Sequence, residues 1–118
     1  MIEGTDFISL PTQDVARAER FYGETLGLPR SEADTDFPAF DTGNVKLLIV
    51  DPIRIGTTFS PNRSGFALRV ADVAAARAQL EAKGVQFFGE VVDNGVRQMA
   101  FFADPDGNGL VLHRRHDA

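Results

Sequence analysis

Histidine and cysteine, whose side chains titrate nearest to neutral pH, are scarce in this chain. There are two histidines, His113 and His116, and no cysteine, which excludes thiolate catalysis, thiolate metal sites and disulfides. His113 ends the apolar run Leu110-Val111-Leu112, where it is either a half-buried strand residue or a polar contact or general base at a pocket. His116 lies in the terminal tail, which we expect to be disordered.

Arginines and acidic turns offer a second kind of chemistry. Arg69 follows the run Phe66-Ala67-Leu68, and it is either a surface charge or, if it faces a pocket, a clamp for a carboxylate or phosphate. The run Asp104-Pro105-Asp106-Gly107-Asn108 lacks the spacing and the terminal glutamate of a calcium loop, so we interpret it as a tight turn. Its glycines match no phosphate-binding loop, and no serine stands in a nucleophile elbow.

The composition is that of an ordinary globular domain. The chain has 118 residues, of which 43% are hydrophobic and 25% charged, and its formal net charge is −5. Nucleic acid is excluded as a bulk partner, because phosphate neutralisation needs clustered Lys and Arg. The acidity favours either solubility alone or the attraction of a cationic ligand. No apolar run is long enough for a membrane span and the N-terminus lacks a signal-peptide pattern, so we predict no membrane partner and a cytoplasmic location.

The elements that would position these side chains occur twice. Phe7-Ile8-Ser9-Leu10 precedes Asp14, and Gly65-Phe66-Ala67-Leu68 precedes Asp72 at the same spacing. Each aspartate is a good helix N-cap, and the apolar residues after it recur at i, i+3 and i+7, on one helix face. Each half therefore begins with a strand followed by a helix.

The remainder of each half is typical of strands joined by tight turns. Thr42-Gly43-Asn44 is the turn of a hairpin over residues 38–50, and Asp93-Asn94-Gly95 joins strands at 85–92 and 97–102. We predict an α+β fold of two tandem βαβββ modules in one domain, 1–118. Module 1 spans about 5–51, the linker 52–64 and module 2 about 65–114. Side by side, two such modules would form a cup-shaped, mostly antiparallel sheet with helices outside and a concave pocket.

Two motifs carry a resemblance to a known superfamily. Phe21-Tyr22-Gly23-Glu24-Thr25-Leu26-Gly27-Leu28 resembles the helix-end motif of the vicinal-oxygen-chelate superfamily. Ala103-Asp104-Pro105-Asp106-Gly107-Asn108-Gly109-Leu110-Val111-Leu112 resembles its last hairpin. The superfamily includes glyoxalase I, extradiol dioxygenases and bleomycin-resistance proteins. The resemblance covers nearly the whole chain and implies the fold, but not the reaction, because function lies in the site.

The resemblance also implies where a metal would be held. Metal-dependent members bind one divalent ion with four side chains, usually His, Gln or Glu, two from each module. The corresponding positions here are Phe7, Leu47 or Leu48 depending on strand register, Gly65 and Val111. None of these side chains has an oxygen or nitrogen donor. We therefore predict no metal and no cofactor, and the sequence leaves open whether the chain is an enzyme.

Strand alternation then selects side chains for the ligand-binding face of the cup. If Phe7 and Val111 face inward, alternation also points Ser9, Arg69 and His113 inward. Lys46 faces inward as well if Leu48 faces inward. Aromatic side chains would supply apolar contacts, and carboxylates would suit a cationic ligand. The candidate ligand-binding residues are Phe7, Ser9, Phe37, Phe40, Asp41, Lys46, Asp51, Arg69, Phe102 and His113.

The missing metal ligands favour a small-molecule binder similar to the bleomycin-resistance proteins, which would sequester a drug or metabolite. The chain lacks the tryptophan that such clefts often use. The alternative is a lyase, isomerase or dioxygenase of the superfamily without the usual metal tetrad, with Arg69, His113 and Ser9 as the working groups. A third possibility is an accessory module that acts through its surface. The resemblance also implies a homodimer, with modules either side by side or swapped between chains.

Overall fold

A computed structural model describes residues 1–31 and 37–117 of the chain. These residues form two compact units, Met1–Asn62 and Arg63–Ala118. Each unit contains a four-stranded sheet with one parallel and two antiparallel strand pairs, and a helix follows its first strand. The prediction of an α+β fold built from two βαβββ modules is confirmed.

The first unit begins with a strand and a capped helix. Its elements are β1 (Phe7–Pro11), α1 (Val15–Arg20), β2 (Arg30–Ser31), β3 (Ala39–Asp41) and β4 (Lys46–Val50). The sheet order is β1-β4-β3-β2, with β1 parallel to β4. Asp14 caps α1 as predicted, and its carboxylate accepts a 3.1 Å hydrogen bond from the backbone N–H of Arg17. A π-helical turn, Phe21–Thr25, continues α1.

The second unit repeats this plan. Its elements are β5 (Phe66–Arg69), α2 (Val73–Ala82), β6 (Phe87–Asp93), β7 (Arg97–Ala103) and β8 (Gly109–Arg115). The sheet order is β5-β8-β7-β6, with β5 parallel to β8. Asp72 caps α2 and accepts from the N–H of Ala75 at 3.0 Å. Asp104 organises the turn before β8, since its carboxylate accepts from the N–H groups of Asp106 and Asn108, both at 2.9 Å.

The segment between the two sheets is partly helical. Residues Pro52–Ile55 form a 3₁₀ turn. Asp51 caps this turn by accepting a 3.1 Å hydrogen bond from the N–H of Ile53, and Gly56 ends it at a φ of 86°. Neither helix in the described part of the chain has the length and hydrophobicity that crossing a lipid bilayer requires.

Each unit packs its core between the helical segment and one face of its sheet. The buried strand residues on this face are Leu10, Phe40, Leu47 and Ile49 in the first unit and Ala100, Phe102, Leu110 and Leu112 in the second. We call this the helix face of each sheet. Because strand side chains alternate, the residues between them point to the opposite face, which we call the free face. In the first unit Ala39 and Val50 are also buried, at positions that alternate with the helix-face residues.

The end of the chain continues the second sheet. Strand β8 extends to Arg115, and the N–H of His116 donates to the carbonyl of Val96 at 3.0 Å. The Nε2 atom of His116 also lies 2.9 Å from Oδ1 of Asp93. The expectation of a disordered tail is therefore wrong at His116.

Candidate functional site

The free face of the second sheet carries two adjacent rows of side chains that cross all four strands. From β6 to β5, the first row is Phe88, Phe101, Val111 and Ala67, and the second is Val92, Met99, His113 and Arg69. Strands lie about 4.8 Å apart and alternate residues about 7 Å apart, so the two rows cover roughly 14 Å by 7 Å. Phe88 and Phe101 are 61% and 36% exposed. The first row is thus an exposed aromatic and aliphatic surface.

A bulge in β6 brings Val92 into the second row. The register shifts between Phe88 and Val92, so the pairing of Phe88 with Phe101 is followed by that of Val92 with Met99. Gly89 within the bulge has a φ of 68°, a conformation that glycine adopts without a steric penalty. The bulge therefore keeps two apolar β6 side chains on the free face.

The second row ends in a pair of polar side chains. His113 and Arg69 are direct cross-strand partners on β8 and β5. The Nε2 atom of His113 is buried and has no hydrogen-bond partner among the described residues. Arg69 is exposed, and within residues 1–31 and 37–117 no ion pair engages its side chain. An unsatisfied imidazole nitrogen beside a free guanidinium can bind an anion or exchange a proton.

The free face of the first sheet carries other predicted residues. The register places Phe7 beside Lys46 and Lys46 beside Asp41, and it places Ser9 beside Leu48. Phe7 is 51% exposed. Leu48 therefore shares a face with Phe7, as does Lys46, whereas Leu47 is buried on the helix face. The strand register resolves the alternative between Leu47 and Leu48 in favour of Leu48.

The pairing also shows which residues of the two units are equivalent. Leu48 is the partner of Ser9, and Val111 is the partner of Ala67. Ser9 and Ala67 hold the same place in the sequence repeat, so Leu48 is the counterpart of Val111. The four positions that the resemblance assigns to metal ligands are thus Phe7, Leu48, Gly65 and Val111.

The residues at these four positions do not fit a divalent metal ion. Phe7, Leu48 and Val111 have no donor atoms. Gly65 has a φ of 75°, and a Cβ there would lie 3.1 Å from the backbone carbonyl atoms of Gly109, so that backbone position disfavours any side chain. Among the described residues, no three His, Cys, Asp or Glu side chains cluster as metal ligands.

Two predicted aromatic contacts lie on the wrong face for a ligand. Phe102 is 1% exposed and its ring lies 4.9 Å from that of Phe87. Phe40 is also buried, and its ring centroid lies 6.2 Å from that of Tyr22. The register pairs these phenylalanines with core leucines of the neighbouring strands, so alternation turns both toward the helices. Phe40 and Phe102 are corrected from ligand contacts to core residues.

The remaining candidates belong to local structures of the first unit. The carboxylate of Asp41 accepts from the N–H of Gly43 at 2.7 Å, within the hairpin turn. Asp51 is the cap of the 3₁₀ turn. The guanidinium of Arg54 lies over the ring of Phe37, 5.0 Å from its centroid, in a cation–π arrangement. Asp41 and Asp51 therefore have structural roles in their own turns, and Phe37 contacts Arg54 of the 3₁₀ turn.

The sequence reasoning missed the exposed aromatic residues Phe88 and Phe101. A signal for Phe101 was available, because Asp104 to Asn108 was recognised as a tight turn and Val111 was taken as inward-facing. A turn that pairs Ala103 with Gly109 places Phe101 opposite Val111. Phe88 had no comparable signal, since the bulge in β6 disturbs simple counting from its turn.

The fold and the site define a class of protein. The chain has two βαβββ modules, and the four positions that the resemblance assigns to metal ligands carry side chains without donor atoms. The chain belongs to the glyoxalase/bleomycin resistance protein/dioxygenase superfamily, whose family model matches residues 4–112.

Individual relatives agree with this assignment. The chain is 31% identical over 107 residues to an uncharacterised protein of Mycolicibacterium smegmatis, covering 90% of this chain and 89% of that protein. A superfamily member from Sphaerobacter thermophilus has a similar structure (TM-score 0.82, 21% identity, covering 95% and 97% of the two chains). So does TnmS3, an antibiotic binding protein from Streptomyces sp. CB03234 (TM-score 0.80, 28% identity, 97% of each chain).

Proposed function

We propose that this chain is a small-molecule-binding protein that holds an organic ligand without a metal ion and sequesters it, as a drug or a metabolite. The observation that carries this proposal is the chemistry of Phe7, Leu48, Gly65 and Val111, which provide no metal ligand. The likeness to TnmS3, described as an antibiotic binding protein, supports a binding role.

The exposed apolar row of the second sheet supplies a source of binding free energy. Covering apolar surface contributes roughly 25 cal/mol per Å² removed from water. Phe88 and Phe101 are the large exposed side chains of this row, and Val111 lies beside Phe101. A flat, apolar ligand that covers this row gains most of its affinity from burial, and nearby polar groups orient it.

A specific observation also favours the second candidate, an enzyme of the same superfamily that acts without the metal tetrad. The unpartnered Nε2 of His113 next to Arg69 resembles a general base beside a group that stabilises negative charge. In that case the bound molecule would be chemically altered. A sequestering protein would return it unchanged.

The test separates binding from metal dependence and from turnover. Untagged protein is titrated with Zn²⁺, Ni²⁺, Mn²⁺ and Fe²⁺ by calorimetry, and a fragment library is screened by NMR with and without EDTA. We expect no stoichiometric metal binding, fragment hits that perturb the amides of Phe101 and Val111, and affinities unchanged by EDTA. One tightly bound ion per chain would overturn the proposal. Conversion of a hit, detected by mass spectrometry, would replace it with the enzyme.

We also propose that the chain forms a homodimer and resides in the cytoplasm. The likeness to small superfamily members supports the homodimer, and the lack of cysteines, which fits a reducing compartment, supports the cytoplasmic location. Sedimentation equilibrium tests the first, with a mass of two chains as the expected result and a monomer at all concentrations as the contrary one. Cell fractionation tests the second.

A further inference from the structure

We infer that the free face of the second sheet binds an organic anion, specifically a flat aromatic carboxylate. Its ring would lie on the apolar row, and its carboxylate would meet Arg69 and His113. This inference rests on the proposed function and names the ligand class of the same site.

The charge of this face is opposite to that of the whole chain. The net charge of −5 by itself favours a cation. However, the registered rows of the second sheet's free face contain Arg69, His113, Arg97 and Arg115, and no carboxylate. The exposed carboxylate of Glu90 belongs to the β6 bulge between Phe88 and Val92, which has no registered partner. Arg115 is engaged by Asp117 at 2.9 Å. Exposed charges are screened within about 8–10 Å in salt, so the ligand responds to the nearby cations more than to the distant acidic residues.

The two polar side chains of the second row suit a carboxylate. The planar guanidinium of Arg69 can donate two parallel hydrogen bonds to the two carboxylate oxygens. The Nε2 of His113 is buried without a hydrogen-bond partner among the described residues, and when this nitrogen carries a proton it can donate to a carboxylate oxygen. To reach Nε2, the ligand must displace neighbouring side chains. The cross-strand neighbours of His113 are Met99 and Arg69, both long and unbranched, so such a rearrangement is inexpensive.

The apolar row suits an aromatic ring system. Phe88 and Phe101 are adjacent across β6 and β7 and present exposed rings, with Val111 next in line. This row lies two residues along the strands from the row that holds Arg69 and His113. A fused bicyclic ring on the apolar row therefore places a ring-borne carboxylate within reach of the guanidinium. A cation in the same position would meet Arg69 at short range and be repelled.

The test compares three probes of the same shape on the full chain. These are 2-naphthoate, the neutral 2-naphthamide and the cationic 2-naphthylmethylamine, each titrated against ¹⁵N-labelled protein. We expect 2-naphthoate to shift the amides of Ala67, Phe101 and Val111 and to bind about 10- to 100-fold more tightly than the amide, the range expected for hydrogen bonds to charged groups. The amine should bind most weakly.

Variants locate the contact. In Arg69→Gln the dissociation constants of 2-naphthoate and 2-naphthamide should differ by no more than about twofold. Arg69→Lys should keep part of the difference, because lysine retains the positive charge but lacks the two parallel N–H donors of the guanidinium. Arg20→Gln on α1 is the matched control, since it removes the same charge elsewhere and should leave the preference unchanged. The ¹⁵N spectrum of each variant checks its fold.

The contrary outcomes separate this inference from the proposed function. If the amide or the amine binds this face as tightly as naphthoate, or if Arg69→Gln has no effect, the anion inference is overturned and the binding function stands. If the Phe101 and Val111 amides respond to protein concentration instead of to any probe, a second copy covers this face and the inference is overturned. The fragment screen then decides the proposed function independently.

Discussion

Phe101 lies directly opposite Val111 on the free face of the second sheet, paired across β7 and β8. Its neighbour in sequence, Phe102, points the other way and is buried against Phe87. Two adjacent phenylalanines thus have opposite environments, and they provide a sharp test of the binding face.

Truncation of the two phenylalanines should separate stability from binding. We expect Phe102→Ala to lower the free energy of unfolding by about 3–5 kcal/mol, because it leaves a cavity in the core. Phe101→Ala should lower it by less, because Phe101 is 36% exposed and its removal leaves no enclosed cavity, and it should weaken 2-naphthoate binding several-fold. Urea unfolding and NMR titration measure the two quantities. Equal destabilisation by both variants would show that the free face is covered.

Replacement of Gly65 should destabilise the fold by more than the penalty for its positive φ alone. Gly65→Ala places a Cβ 3.1 Å from the backbone of Gly109 at a φ of 75°, whereas Gly84→Ala at a φ of 93° meets nothing within 4 Å. Both variants carry the penalty of a positive φ, of order 1 kcal/mol. We expect Gly65→Ala to cost clearly more in thermal denaturation. A smaller loss of stability in Gly65→Ala than in Gly84→Ala would mean that the chain at Gly65 moves away from Gly109 of β8 to accommodate the added Cβ.

The aspartate that caps α2 should contribute to stability through its side-chain acceptor. Asp72→Ala removes the 3.0 Å hydrogen bond to the N–H of Ala75 and should lower the free energy of unfolding by about 1 kcal/mol. Asp72→Asn keeps an acceptor oxygen and should cost much less. Chemical denaturation of the two variants checks this. Equal losses of stability would mean that the negative charge of Asp72, and not its acceptor oxygen, stabilises the helix.

The contact between His116 and Asp93 should be visible in the titration of the carboxyl group. The hydrogen bond from His116, with further bonds from Gly95 and Gln98, lowers the pKa of Asp93 from 3.8 to about 2. Because the folded-state pKa is depressed, the stabilisation is present above about pH 4 and is lost as the pH falls toward 2. His116→Ala should raise the pKa of Asp93, read from its ¹³C carboxyl shift, whereas His113→Ala should not. An unchanged pKa in His116→Ala would mean that this contact does not persist in solution.

Local signals explain why the elements were predictable. Asp14 and Asp72 stand at the same place in each half, and helix capping depends on a few consecutive residues. The same holds for the tight turns at Asp93 and Asp104, whose side chains bond to nearby backbone N–H groups. The absence of donor atoms at Phe7, Gly65 and Val111 needed only the residue types and the resemblance.

The residue types did not determine the strand register. The choice between Leu47 and Leu48 and the choice between Phe101 and Phe102 each depend on a shift of one residue, which moves a side chain to the other face. Only the pairing of β4 with β1, and of β7 with β8, decides it.

The sequence alone determined the repeat, the βαβββ order of each module and the residue types at the four positions that the resemblance assigns to metal ligands, because these depend on residue types and short-range spacing. The tertiary structure decided which aromatic rings lie on the free face, and it placed Arg69 beside His113 on a locally cationic surface of an acidic chain. That surface arises from side chains on four different strands, and Arg69 on β5 lies far in sequence from His113 on β8. Composition averages over the whole chain, so it cannot report the local charge.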